Sequence, residues 1–387
     1  MRILHIVPTY HPATRYGGPI YSVHSLCKAL VASGNEIHVF TTNVDGNGES
    51  NVALSTPIDM DGVNVWYFRS NISRRLYWST GMRKALQERV GDFDLLHLHS
   101  VFLWPTSAAG RVAWNAGIPY VISPRGMLVK GLIRKKNAIV KTAWIGLVER
   151  RNIECANAIH ATSTLEEREL RKFGFRFPTF VKVPNGVSIE NGVDITSGHI
   201  TEGQRPVPEE PLILFIGRIN WKKGLEQLIK AMDRIRAGVL VIAGNDEEGY
   251  QLHLQRLVTR LNLSTRVKFL GFVGGVEKLA LLRRAQLLVL SSCNENFGNV
   301  VLEAMAQGKA VVVTRGVGAA EIVESEGAGI VSEIDPESLA ESIRCLIEDP
   351  ALAARMGARG KAAIRERYTW EIIASRMEGV YREVVSN

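Results

Sequence analysis

Two periodicities alternate along the chain: short unbroken apolar runs, and longer stretches in which apolar residues return at helical spacing. The runs Ile3–Val7, Ile37–Thr41, Val63–Phe68, Leu95–Leu98, Tyr120–Ile122, Ala158–Ala161 and Phe180–Val183 are rich in Val, Ile or aromatics and end near Gly, Pro, Asn, Ser or Thr. Such runs suit strands buried on both faces. Between them, Ile20–Ala32 places Ile20, Val23, His24, Cys27 and Leu30 on one helical stripe, with Gly34 as its C-cap. The β-α-β-α rhythm predicts a parallel sheet wrapped by helices.

The rhythm stops at about 187–211, where Ser188-Ile-Glu-Asn-Gly and Arg205-Pro-Val-Pro-Glu-Glu-Pro read as a linker. It restarts with Leu212–Ile216, Val239–Ala243, Val267–Leu270, Leu287–Leu290, Ala310–Val313 and Gly329–Val331. The expected division is a first Rossmann-like domain over 1–186, a linker over 187–211, a second Rossmann-like domain over 212–367 and a final helix over 368–387, with a cleft between the domains. Thr369 is that helix's expected N-cap. Trp370, Ile373, Ala374, Met377, Val380, Tyr381 and Val384 form its apolar stripe.

Composition narrows the class. Of 387 residues, 46% are hydrophobic and 22% charged, which supplies packed cores and excludes a disordered chain. Four dispersed cysteines without a CxxC pair argue against a disulfide scaffold or zinc ribbon and for a reducing cytoplasm. The first residues read as a strand rather than a secretory leader, and no run approaches the roughly 20 apolar residues that span a bilayer. The expectation is a soluble or peripheral protein. Charge is uneven: 69–151 holds fifteen basic against four acidic residues, a local +11 that exceeds the whole chain's +8. Nucleic acid, an anionic membrane or a phosphorylated substrate would each answer such a surplus.

Three loops carry candidate chemistry. Tyr16-Gly17-Gly18-Pro19 opens the first helix, where glycines let backbone N–H groups approach a phosphate, although a plain tight turn explains it as well. After the first strand of the second half, Gly217-Arg218 and Lys222-Lys223-Gly224 set two cations five residues apart in a strand-to-helix loop. That pairing suits a diphosphate, or else is ordinary surface charge. The third is Glu295-Asn-Phe297-Gly298-Asn299-Val-Val-Leu-Glu303. One carboxylate sits on a loop and a second about a turn into the following helix, able to grip vicinal hydroxyls such as a ribose offers. Macrodipole complementation accounts for Glu303 but not for Glu295.

In this order the motifs resemble those of family 4 retaining glycosyltransferases with the GT-B fold: the Gly-Gly loop, Pro184-Asn185-Gly186-Val187 at the domain exit, Gly217-Arg218 with Lys223-Gly224, the Glu-x7-Glu element from Glu295 to Glu303, and the closing Tyr-x-Trp helix. The resemblance implies an α/β protein of two Rossmann-like domains facing a cleft, with the C-terminal helix crossing back to the first. It implies that Gly17 and Gly18 face the donor's diphosphate or sugar, and that Arg218 and Lys223 neutralise the departing nucleoside diphosphate. Glu295 would contact donor-sugar hydroxyls, Phe297, Gly298 and Asn299 would supply backbone N–H groups, and Glu303 would hold the ribose. The donor would be a UDP- or GDP-sugar, with no cofactor and no metal. The acceptor would be a glycan or lipid-linked hydroxyl.

Two stretches depart from the family. Ser123-Pro124-Arg125-Gly126-Met127 stands where many relatives have His-Gly, and Gly244-Asn245-Asp246-Glu247 replaces a usual Gly-x-Gly. Arg125 remains a candidate for sugar or phosphate. His99, at the end of a strand it shares with His97, is either an acceptor-site residue or a loop histidine bonded to backbone. Those two imidazoles lack a third ligand in the sequence, so zinc is not expected. Asp92-Phe-Asp94 matches the short DxD pattern of metal-dependent transferases but reads as turn capping. Leu128–Glu149 reads as a basic amphipathic helix, with Lys130, Arg134 and Lys141 on one stripe and Leu132, Ile139, Val140, Ala143, Trp144 and Leu147 beside it. Such a helix either lies on an anionic membrane, as the resemblance to enzymes with lipid-linked acceptors favours, or packs on the core with its lysines solvated; no nucleic acid is expected. The rival functions are a GT-B nucleotide-sugar epimerase and a non-catalytic basic protein that binds membrane or nucleic acid.

Overall fold

Val, Ile and Leu fill both faces of each apolar run, so the runs pair into sheets that only flanking helices can cover. The computed structural model describes residues 1–13, 17–133, 142–189, 211–246 and 248–386. They form two units, Met1–Gly186 with Trp370–Asn387, and Val187–Thr369.

In the first unit the strands are β1 Arg2–Ile6, β2 Glu36–Thr42, β3 Val44–Asp45, β4 Gly48–Glu49, β5 Pro57–Met60, β6 Val63–Phe68, β7 Leu95–His99, β8 Tyr120–Ser123, β9 Ala158–Ala161 and β10 Thr179–Lys182. Eight of them make one sheet in the order β10-β9-β8-β7-β1-β2-β6-β5. All its pairings are parallel except β5 with β6, which closes one edge antiparallel. That edge strand and the β3-β4 hairpin are elements the apolar pattern does not announce.

Alternation along the strands divides the unit's core into two faces. Leu4, Ile6, Leu96, Leu98 and Ile122 pack on one. Ile3, Leu95, Val121 and Ala158 pack on the other, under the helices Gly18–Ala32 and Trp370–Ser386. Trp370, Ile373, Met377 and Tyr381 of the terminal helix are buried there. Each such side chain contributes about 1.5–3 kcal/mol, which together anchors the helix to this unit. A Cβ on Gly186 would stand 2.8 Å from the Trp370 ring, so the chain exit requires glycine beside that anchor.

The second unit has β11 Leu212–Ile216, β12 Val239–Ala243, β13 Val267–Gly271, β14 Leu287–Leu290, β15 Ala310–Thr314 and β16 Gly329–Ser332. They form one wholly parallel sheet in the order β13-β12-β11-β14-β15-β16 around a single apolar core. The chain starts at β11, fills one side and returns to β14 on the other. The carboxyl ends of β11 and β14 therefore flank the switch point where doubly wound sheets bind ligands.

Much of the expected linker, Tyr16, Arg134, Ile139, Val140, Lys141 and Glu247 lie outside the described residues. The basic helix is otherwise only partly as expected. Lys130–Ile133 is helical, Ile145–Glu149 is a π-helical turn, and Arg150–Glu154 is helical again. Leu147, placed on the apolar face from sequence, is 81% exposed, because the wider π turn rotates it away from Ile145, which is buried. Lys130 donates to the Lys172 carbonyl at 3.1 Å. No described helix is long and apolar enough to cross a membrane.

Candidate functional site

In the second unit, the loop after β11 is pinned to the end of β14. Asn220 caps the turn Trp221–Lys223 by accepting from Lys222 N–H at 3.1 Å. Cys293 N–H donates to the Lys222 carbonyl at 2.7 Å, and the Ser291 hydroxyl donates to the Lys223 carbonyl at 2.9 Å. Gly224 has φ +63°, and a Cβ there would lie 2.0 Å from the Ser291 carbonyl oxygen. Only glycine permits that approach. The result is an ion pair between Lys223 Nζ and Glu295 Oε2, both side chains mostly buried. Arg218, on the same loop, is exposed.

Glu295 is braced from the other side. Its N–H donates to the Gly316 carbonyl at 2.8 Å, and its carbonyl accepts from Gly318 N–H at 3.0 Å. Gly298 follows with φ +90°, where a Cβ would stand 2.9 Å from Leu290 Cδ2. It caps the helix Asn299–Ala306 without a side-chain hydrogen bond, and its carbonyl accepts from Val301 N–H at 2.9 Å. The Phe297 ring is buried in the core, so this residue can serve a ligand only through its backbone. Glu303, one turn in, pairs with Lys278 at 2.5 Å. Lys278 was not legible beforehand, because it is one of several basic residues on the helix Gly275–Arg284 and only the fold brings it to Glu303. The loop that departs from Gly-x-Gly lies against the β11 loop: Ile219 N–H donates to the Asn245 carbonyl at 2.8 Å, and a Cβ on Gly244 would stand 1.8 Å from the Gly217 carbonyl oxygen.

In the first unit, Gly17 precedes the helix with φ +79° and open space where a Cβ would be, and Gly18 begins the helix, exposed. The strand ends hold a different arrangement. His5, His97, His99, Ser123 and His160 fall by alternation on the face covered by the terminal helix, and all are buried. Their hydrogen bonds form two chains whose ends fix every proton. His160 Nε2 faces the Val183 carbonyl at 2.8 Å and must donate, so its Nδ1 accepts from the Ser123 hydroxyl at 2.6 Å. Ser123 then accepts from His97 Nε2–H at 2.6 Å, and His97 Nδ1 accepts from the Tyr381 hydroxyl at 2.6 Å. In the second chain the Arg125 guanidinium, a donor only, faces His99 Nδ1 at 3.3 Å. His99 Nε2–H therefore donates to His5 Nδ1 at 2.9 Å, and His5 Nε2–H has no partner among the described residues.

All four imidazoles are neutral. Burial, reinforced by Arg125, holds His5 and His160 down at about 3, and burial with neighbouring positive charge holds His97 and His99 well below the usual range. Burial likewise raises the Tyr381 hydroxyl.

Two expectations are corrected here. His99 ends β7 and is bonded to side chains, not to backbone. His97 and His99 do have a third imidazole beside them: ring nitrogens of His5, His97 and His99 lie within 4.8 Å of one another, because β1 pairs with β7 and sets His5 against His97. A cation there would have to break hydrogen bonds at His97 and His99 and sit beside a guanidinium, so this donor set fits a hydrogen-bonded network better than a metal centre. Asp92 pairs with Arg89 at 3.2 Å and Asp94 accepts from Arg2 N–H at 2.7 Å, both away from this cluster.

Residues 17–186 match the family described as Glycosyl transferase 4-like domain, and residues 200–363 match Glycosyl transferases group 1. The chain carries both glycosyltransferase domains. An uncharacterized glycosyltransferase of Methanocaldococcus jannaschii is 28% identical over 391 residues, which cover 96% of each chain. The D-inositol 3-phosphate glycosyltransferase of Streptomyces griseus is 27% identical, spanning all of this chain and 89% of its own. Among solved structures, sucrose-phosphate synthase from Thermosynechococcus elongatus superposes with a TM-score of 0.78 at 24% identity, covering 100% and 99% of the two chains. Anabaena HepE in complex with UDP-glucose gives 0.76 at 22%, covering 99% and 100%. The glycosyltransferase chain has the GT-B fold.

Proposed function

We propose that this glycosyltransferase is a retaining enzyme of family 4. It moves a hexose-type sugar from a UDP- or GDP-sugar to a hydroxyl on a glycan or lipid-linked acceptor, without a metal. The observation that carries the reading is the Lys223–Glu295 pair at the β11/β14 switch point, beside the glycine-capped helix start at Gly298. The complexes of Anabaena HepE with UDP and with UDP-glucose support a nucleotide-sugar donor.

The reading gives each residue a role. A diphosphate at the loop competes with Glu295 for Lys223, and the released carboxylate becomes an acceptor for donor-sugar hydroxyls. Glu303, released from Lys278, accepts from the two ribose hydroxyls. As the glycosidic bond breaks, negative charge collects on the leaving phosphate, where Lys223 and Arg218 stabilise it. In front-face attack the acceptor oxygen bonds to the anomeric carbon from the side the phosphate leaves. The acceptor's proton passes to a phosphate oxygen of the departing nucleoside diphosphate. The work site is the cytoplasmic membrane face, with the basic stretch around Lys130, Arg134 and Lys141 as the peripheral contact.

Initial rates of nucleoside diphosphate release test this, with and without acceptor and EDTA, while sedimentation with anionic liposomes tests the membrane contact. Acceptor-dependent release that survives EDTA is expected. Sugar release without any acceptor would favour the epimerase, and no release from any UDP- or GDP-sugar would leave the basic binding protein.

A further inference from the structure

Among the described residues, Arg125 is a buried cation without a counter-ion. It is 9% exposed, and among the described residues it makes no ion pair. Its two side-chain partners are neutral acceptors, Asn185 Oδ1 at 3.0 Å and His99 Nδ1 at 3.3 Å. A guanidinium carries five N–H groups, so three remain, including the buried Nε–H, which has no partner. Glu166 does not supply the missing charge by contact. Its Oε1 accepts from Gly126 N–H at 2.7 Å, and its Oε2 accepts from the N–H and hydroxyl of Thr162, each at 2.8 Å.

The surroundings hold this cation in place rather than neutralise it. Arg125 has φ +54°, a left-handed conformation that costs a non-glycine residue energy, and the Gly126–Glu166 bond fixes the turn that imposes it. His99 presents a lone pair because its other nitrogen must donate to His5. The chain thus aligns the fork from one side and leaves the remaining N–H groups unanswered. The next residues, Gly126 and Met127, are part-exposed and exposed, so the turn is reachable from solvent. A buried unpaired charge is strongly unfavourable unless a partner arrives.

We infer that the first unit binds an oxyanion of a sugar ligand on Arg125, a carboxylate or a phosphate, with the planar guanidinium fork as the recognising group. This reading deepens the proposed function by naming an acidic sugar as the class of ligand, and rests on it only for the ligand being a sugar. Two sources share the chemistry: a uronic acid offers a carboxylate, and a phosphorylated sugar offers a phosphate.

Equilibrium titration of the full chain with glucuronate, glucose 6-phosphate and glucose separates them. At least one acidic sugar is expected to bind about ten- to a hundredfold more tightly than glucose, the range of hydrogen bonds to a charged group. The preference should vanish in Arg125→Gln and survive in part in Arg125→Lys, which keeps the charge without the fork. Circular dichroism checks that both variants fold, and Glu166→Gln, which leaves the guanidinium in place but loosens its turn, should reduce the preference less. Equal affinity for all three sugars, or a preference that persists in folded Arg125→Gln, overturns the inference. Because binding is read without turnover, an acidic-sugar preference in a chain that releases no nucleoside diphosphate would sink the transferase reading and leave this one standing.

Discussion

Both units place their candidate chemistry at the carboxyl ends of parallel strands, yet they build it from opposite materials. The first unit uses neutral imidazoles, a serine and a tyrosine, all buried, in two hydrogen-bond chains, one with its protons fixed by a carbonyl and the other by a guanidinium. The second uses ion pairs, Lys223–Glu295 on loops that glycines let touch and Lys278–Glu303 between two helices. Moving a proton in the first network requires every neighbour to change role. An ion pair can exchange partners with a charged ligand at little net cost, since one charge–charge contact replaces another. The second unit is thus suited to a diphosphate whose charge grows during reaction, and the first to positioning.

The sharpest way to break that division is to remove the second unit's cations. Arg218→Ala and Lys223→Ala should each lower kcat about 10²–10³-fold, as loss of a preorganised transition-state donor does, with a smaller rise in donor KM. Initial rates over a donor series measure both. Folded variants that keep kcat and lose only donor affinity would show ground-state binding alone. Next in size, Glu303→Gln should weaken nucleoside diphosphate binding about ten- to a hundredfold by calorimetry, because a neutral amide accepts poorly from two hydroxyls. Unchanged affinity would remove Glu303 from the ribose.

How much of this was readable from sequence differs between the units for a physical reason. Each expected strand exists, most within a residue of its expected limits, because buried parallel strands leave an unbroken apolar run. The β5 edge strand was not readable, since Pro57–Met60 faces water on alternate residues and has no such run. The second unit's candidates were legible because Glu295, Gly298 and Glu303 sit on one loop and helix, at fixed spacing. The first unit's network was not. His5, His97, Ser123, His160 and Tyr381 come from five separate elements, and only sheet register and the terminal helix bring them together. The one available signal is a polar residue inside an otherwise apolar strand, which His5 and His160 carry as much as His97 and His99 do. Lys278 gave no signal at all.

Acid should separate the units with the smallest effect near neutrality. His5 and His160 are held at about 3 in the folded state against an ordinary 6.5. The unfolded chain therefore takes up their protons first. Stability is full above pH 6.5 and falls as pH drops towards 3, by at most about 1.4 kcal/mol per pH unit for each histidine. Amide exchange in β1 and β9 should accelerate over that window. Exchange there that is independent of pH, after correction for the intrinsic rate, would mean the imidazoles are not held neutral.

The central claim is that the nucleoside diphosphate sits on the second unit's switch-point loops. Hydrogen exchange of the full chain with and without UDP, and with and without GDP, tests it most directly. The account predicts slower exchange at Gly217–Gly224 and Cys293–Asn299 with at least one of the two nucleotides. Saturating nucleotide that leaves those loops unchanged, while slowing exchange only at the strand ends around Ser123–Met127, would contradict it.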